Sequence, residues 1–192
     1  LRKNGRHMSY YTVEGIIRRG LPVLTVTCVM GIIVGQILNT RENSLLSMPA
    51  ILILIPSLVK IGGDTGSMLG ARLSSAFHMG LGDRIYRNPV VHNSVIAASI
   101  VGLVSSVSVS ILVFIASMLM GFGMPFITLL EISVIAVVIE LSVVYSATVG
   151  IAFVSHRFGM DPDDTVIPLI ASLGDLVGVM GIFTALHLLH IL

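Results

Sequence analysis

Residues 166–192 read VIPLIASLGDLVGVMGIFTALHLLHIL, and the reading of this stretch decides the fold. A bilayer's hydrocarbon core of about 30 Å takes roughly 20 helical residues at about 1.5 Å each, so the run is long enough to span a membrane. Near its middle stands a carboxylate, Asp175, with Gly174 before it and Gly178 after it. Facing lipid, that charge costs about 3 kcal/mol on the insertion scale and more in simulations. Such residues face a bundle interior or a water-filled path. The two glycines make the surrounding face small, so something can approach closely. A polyatomic substrate needs more donors than the run offers, whereas a cation needs oxygen atoms, which it has.

The rest of the chain agrees. Of its 192 residues 55% are hydrophobic and 11% charged, against about a quarter charged in a soluble domain. The mean hydropathy of +1.00 points the same way. This is an all-α, polytopic membrane protein whose surroundings are the lipid bilayer. No nucleic-acid partner and no enzymatic activity are expected. The single cysteine, Cys28, excludes an internal disulfide and a cysteine-based metal site within one chain. Trp is absent, which leaves interfacial anchoring to Tyr, Arg and Lys.

Five stretches are long enough to span: Leu21 to Leu38, Leu45 to Met79, Asn93 to Met120, Phe126 to Val154 and Thr165 to Leu192. Pro22 is expected in the first turn of the first span. The last three exceed a perpendicular crossing and are expected to tilt. Residues 121–125, 81–92 and 159–164 read as turns or loops, the last with acids suited to capping the fifth span. The chain divides into a basic cytoplasmic segment, residues 1–20, and a transmembrane domain, residues 21–192. Residues 14–19 are expected as a short amphipathic turn at the interface.

An odd number of spans puts the termini on opposite sides. With the N-terminus cytoplasmic, that side holds Arg2, Lys3, Arg6, Arg18, Arg19, Arg84, Arg87 and Arg157, against Arg41 alone on the other. The positive-inside rule then gives a cytoplasmic N-terminus and an extracytoplasmic C-terminus in the cell membrane.

Three glycines, Gly62, Gly63 and Gly66, fall within five residues of the second span and are poor continuous helix. An interruption is expected there, its freed Gly62 and Gly63 carbonyls and the Asp64 carboxylate serving as cation ligands. The competing reading is a helix-packing patch, with Gly66 and Gly70 as a small-xxx-small pair. Asp175 has two readings as well: an ion ligand, or a structural acid paired with Lys60 or Arg72. Glu140 lies deep in the fourth span, as a secondary ligand or a partner of Arg72; Glu131 falls near the outer interface. Asp161, Asp163 and Asp164 can cap a helix or draw cations to a vestibule. His187 and His190 are spaced to hold a metal or to sit at a solvated edge. Gly80-Leu81-Gly82-Asp83 spells the GxGD motif of intramembrane aspartyl proteases, but the loop residues after it make that match weak.

Two stretches together carry a family resemblance. PSLVKIGGDTGSMLGARLS, residues 56–74, resembles the second-helix signature of the solute carrier 41 and MgtE magnesium transporters. Asp161-Pro162-Asp163-Asp164, followed by Pro168 and Ala171-Ser172-Leu173-Gly174-Asp175-Leu176, resembles their fourth-loop and fifth-helix signature, and the five-span layout also matches. The resemblance implies transport of Mg²⁺ through a carboxylate-lined pore at the axis of a homodimer. It places the pore carboxylate on Asp175 and a backbone carbonyl ligand on Ala171. The family usually has Asn where this chain has Asp64. MgtE proteins carry cytoplasmic gating domains before the first span; this sequence shows none there, and their gating is not carried over. A sodium- or proton-coupled cation exchanger on the same scaffold is the alternative, and the protease a distant one.

Overall fold

The computed structural model describes residues 12–80, 89–121, 123–157 and 162–191. Among them the regular elements are helices: α1 Val13–Asn39, α2 Glu42–Leu46, α3 Pro49–His78, α4 Pro89–Leu119, α5 Phe126–Arg157 and α6 Pro162–Leu188. All but α2 are long and apolar enough to cross a membrane, as the sequence predicts. Helices α3, α4 and α5 contain 30, 31 and 32 residues. At about 1.5 Å per residue each exceeds the roughly 30 Å core, so they lean or project beyond it.

The helix ends follow local chemistry, and two differ from expectation. Thr12 caps α1 by accepting the Gly15 N–H at 3.2 Å, and Glu14 in the first turn suits the positive end of the helix dipole. Residues 14–19 therefore belong to the first span rather than forming a separate interfacial turn. Pro22 lies inside α1, not in its first turn. Proline removes one ladder hydrogen bond. In lipid, leaving helical geometry would expose several more backbone groups, so the chain stays helical through it. At the other end, α6 closes in a Schellman turn: Ile191 N–H donates to the Leu186 carbonyl at 2.9 Å and His190 N–H to His187 at 3.1 Å. His190 takes the left-handed conformation this requires, φ 53°, so the fifth span stops at Leu188 and not Leu192.

The interruption expected in the second span is absent. Helix α3 runs unbroken from Pro49 to His78, through Gly62, Gly63 and Gly66. Each glycine weakens an isolated helix by about 1 kcal/mol relative to alanine, but here the missing side chains make room for neighbours. A Cβ on Gly174 of α6 would run into the backbone of Gly63, and one on Gly63 would lie 3.0 Å from the Ala171 carbonyl oxygen. A Cβ on Gly178 would come within 2.9 Å of Val59 Cα, and one on Gly70 within 2.9 Å of Val166. The glycines thus let α3 and α6 touch backbone to backbone, the helix-packing alternative. With α3 intact, the Gly62 and Gly63 carbonyls are not released by a break.

Around this crossing the bundle closes. Helix α3 packs against α4, α5 and α6, and α5 fills the space between α4 and α6. The core is aliphatic, with Leu54, Leu58 and Leu69 of α3, Ile132 of α5 and Ile170 and Ile182 of α6 fully buried. Helix α4 contributes a small-residue face, Ser94, Gly102, Ser106, Ser110 and Ser117. Ser106, Ser110 and Ser117 return their hydroxyl protons to carbonyls of their own helix at 2.8–2.9 Å, so the face is sterically small without unsatisfied donors. Helix α1 stands apart: its contacts fall mainly on α6, and its most apolar stretch is unburied within the chain.

Gly150 of α5 has nothing within 4 Å of an added Cβ. Gly150→Ala is expected to stabilise the protein by about 0.5–1 kcal/mol, and Gly174→Ala to destabilise it by about 1–3 kcal/mol through backbone displacement. Thermal unfolding in detergent checks the sign of both.

Candidate functional site

The polar side chains of the bundle gather on two sides of the α3–α6 crossing. On the open side, Lys60, Asp64, Ser67 and Ala71 fall at i, i+4, i+7 and i+11 and share one face of α3. Ser67 Oγ donates to the Ile167 carbonyl of α6 at 3.3 Å and fixes the two helices in register. From α6 comes Asp175, whose Oδ1 lies 3.2 Å from Lys60 Nζ. The lysine side chain is 60% exposed and the aspartate 33%. This is an accessible ion pair, of the kind worth about 1 kcal/mol or less in water. Asp64, one turn further along α3, is exposed and makes no ion pair or hydrogen bond among the described residues.

The ion pair opens on a cleft of about 490 Å³. Its walls are Gly31, Val34 and Leu38 of α1, Leu45 of α2, and Leu52, Ile55, Pro56 and Val59 of α3, with Val179 beside Asp175. Lys60 and Asp175 are its only ionisable residues among the described ones, so the charge lies at one place in an otherwise apolar wall.

On the closed side lies Glu140 of α5, 1% exposed. Its Oε1 accepts the Gly62 backbone N–H at 3.0 Å. In a regular helix that N–H bonds to the carbonyl four residues earlier, so Glu140 reaches into the ladder of α3. The approach depends on glycine: a Cβ on Gly62 would overlap the Glu140 carboxylate, and one on Gly178 would lie 3.0 Å from Oε1.

These positions sort the sequence-predicted residues. Asp175, Asp64 and Ala171 lie on or beside the open side, although the Ala171 carbonyl is directed at Gly63. Gly62 and Gly63 are buried in the crossing, and Glu140 is buried behind it. Asp161, Asp83 of the GxGD motif and the side chains of Asp163 and Asp164 lie outside the described residues. Of the two basic partners weighed for Asp175, Lys60 is the one in contact. Arg72 lies on the α4 side of α3, beside Ser94 and Val101, and pairs with neither Asp175 nor Glu140 among the described residues. His187 and His190 are exposed, and no three His, Cys, Asp or Glu side chains converge as a metal site among the described residues.

Sequence reasoning missed two participants. The Gly62 N–H as Glu140's partner has no signature, because every residue but proline carries that group. The contribution of α1 had one: Gly31, Val34 and Leu38 recur at i, i+3 and i+7 and form a helical face.

The family model for MgtE, described as a divalent cation transporter, matches residues 55–185. The solute carrier family 41 member 3 protein of Rattus norvegicus is 27% identical over 157 residues, covering 74% of this chain and 32% of the relative. The chain therefore spans about a third of that relative's length. No solved structure matches.

Glu140→Gln keeps an oxygen acceptor for Gly62 and is expected to fold with little loss. Glu140→Ala leaves a buried hole and removes that acceptor, and is expected to cost about 2–4 kcal/mol. Unfolding midpoints of the two variants against wild type check the difference.

Proposed function

This chain belongs to the MgtE divalent cation transporter family, and we propose on that footing that it carries Mg²⁺ across the membrane along the open side of the α3–α6 crossing. The observation that carries the reading is Asp175: an intramembrane carboxylate, one-third exposed, beside a cleft and not sealed in the core. A carboxylate at that depth is costly unless it is paired, faces the bundle interior or lines an aqueous path, and its partial exposure beside the cleft favours the path over a purely structural pair with Lys60. Asp64 stands on the same side with no partner among the described residues, a second acid available to a passing cation.

Among the described residues of one chain Asp175 and Asp64 are the acids on the open side, and the proposed site is completed by a second copy. A second copy facing the first across a two-fold axis doubles every group on the open side. Two Asp175 carboxylates then flank the axis, with Asp64 of each copy one step away. Mg²⁺ parts with water reluctantly and prefers six oxygens in octahedral array. Held through its waters, it meets the carboxylates in the outer sphere, where binding is favourable enough to enter and weak enough to leave. The unbroken α3 fits this mode, because a hydrated ion does not need freed backbone carbonyls. Glu140 supports the path from behind by fixing α3 at Gly62.

In this reading the basic N-terminal segment is cytoplasmic and the C-terminus extracytoplasmic. Asp161 and Asp164, on the cytoplasmic side, concentrate cations at the mouth.

Purified protein in proteoliposomes loaded with a Mg²⁺ indicator is expected to admit Mg²⁺. Asp175→Asn is expected to reduce the flux to that of empty vesicles while the unfolding midpoint in Mg²⁺-free buffer stays near wild type. Wild-type flux through Asp175→Asn removes Asp175 from the path.

A further inference from the structure

The ion pair between Lys60 and Asp175 places a fixed positive charge on the carboxylate that the proposed path depends on. We infer that Lys60 is a tethered counter-ion: its ammonium occupies Asp175 when no metal is bound, and only a divalent cation displaces it. The inference rests on the Mg²⁺ transport reading and names the residue that sets its selectivity against monovalent ions.

Three observations carry it. The ammonium lies 3.2 Å from Asp175 Oδ1, so an arriving cation competes with it directly. The lysine side chain is 60% exposed, which leaves it room to swing away. Asp64 follows one turn later on the same helix and has no partner among the described residues. Residues at i and i+4 are neighbours on a helix surface, so the displaced ammonium has a second carboxylate within reach. Lys60 thus moves between two acids of one face without being left unpaired.

Charge and distance decide which ions do this. A water-separated metal ion sits about 4.5 Å from a carboxylate oxygen, one metal–water bond plus one hydrogen bond. Coulomb attraction scales as charge over distance. For a divalent ion at that distance it is about 1.4 times that of the ammonium at contact, and for a monovalent ion about 0.7 times. A hydrated divalent ion therefore replaces Lys60, and a hydrated Na⁺ or K⁺ does not. Asp64 and Asp175 balanced by one Lys60 also leave a net charge of −1 on the open side of each copy, enough to draw cations without trapping them.

The test compares Mg²⁺ and Na⁺ flux in proteoliposomes for wild type, Asp175→Asn and Lys60→Gln. Lys60→Gln is expected to lower the Mg²⁺ concentration for half-maximal flux by about fivefold, the equivalent of about 1 kcal/mol, and to admit Na⁺. If Lys60→Gln keeps the wild-type Mg²⁺ dependence and still excludes Na⁺, the inference is overturned while the transport reading stands. If wild type carries no Mg²⁺, or Asp175→Asn carries it normally, the transport reading fails and the inference with it. To separate charge from folding, Lys60→Cys is made in a Cys28→Ser background, Cys28 being the chain's single, exposed cysteine. After reconstitution the thiol is treated with aminoethyl methanethiosulfonate, which restores an ammonium, or with the neutral methyl reagent. Na⁺ exclusion restored by the first and not the second is expected; identical behaviour with both overturns the inference.

Discussion

The architecture depends on how closely α3 and α6 approach. Gly63 on one helix and Gly174 and Gly178 on the other remove the side chains that would hold two backbones apart. In a bilayer, where apolar surface gains nothing by leaving apolar surroundings, helices associate through packing and interhelical hydrogen bonds. Contact at this range supplies the packing, and the Ser67 and Glu140 hydrogen bonds supply two directional links. Everything polar is arranged around that contact. Asp175 is one residue from Gly174, and Asp64 is one residue from Gly63, so the acids flank the place where the helices are pinned most firmly.

Much of this was readable from the sequence. Apolar length gave the five spans, and the cost of an intramembrane charge singled out Asp175. The sequence left undecided what the glycines do. A glycine-rich stretch is physically ambiguous, since low helix propensity argues for a break and small size argues for close packing. The partner decides, and the partner is Gly174 and Gly178, more than a hundred residues away. Glu140 was legible as a deep acid but not as a ligand of a backbone N–H, because Arg72 looked equally available and only the bundle turns it toward α4. The end of α6 was missed because a non-glycine residue, His190, takes the left-handed position that normally advertises a helix stop.

The two sides of the crossing treat carboxylates differently. Glu140 is enclosed by protein and committed to one donor, and its contribution is to structure. Asp175 is partly open and paired with an exposed lysine, and Asp64 has no partner among the described residues. The three acids thus divide between one that holds the helices together and two that, in the proposed reading, meet a passing cation. The division follows from which face of each helix the glycines turn inward.

Helix α1 forms one wall of the cleft yet leaves nearly all of its own surface outside the bundle, with Ile32 71% exposed. Such a helix is held in place more by its solvent than by its siblings. Its fit against α6 is therefore expected to respond to the thickness of the surrounding lipid. The cleft it borders is a gap whose far bank is set by the membrane.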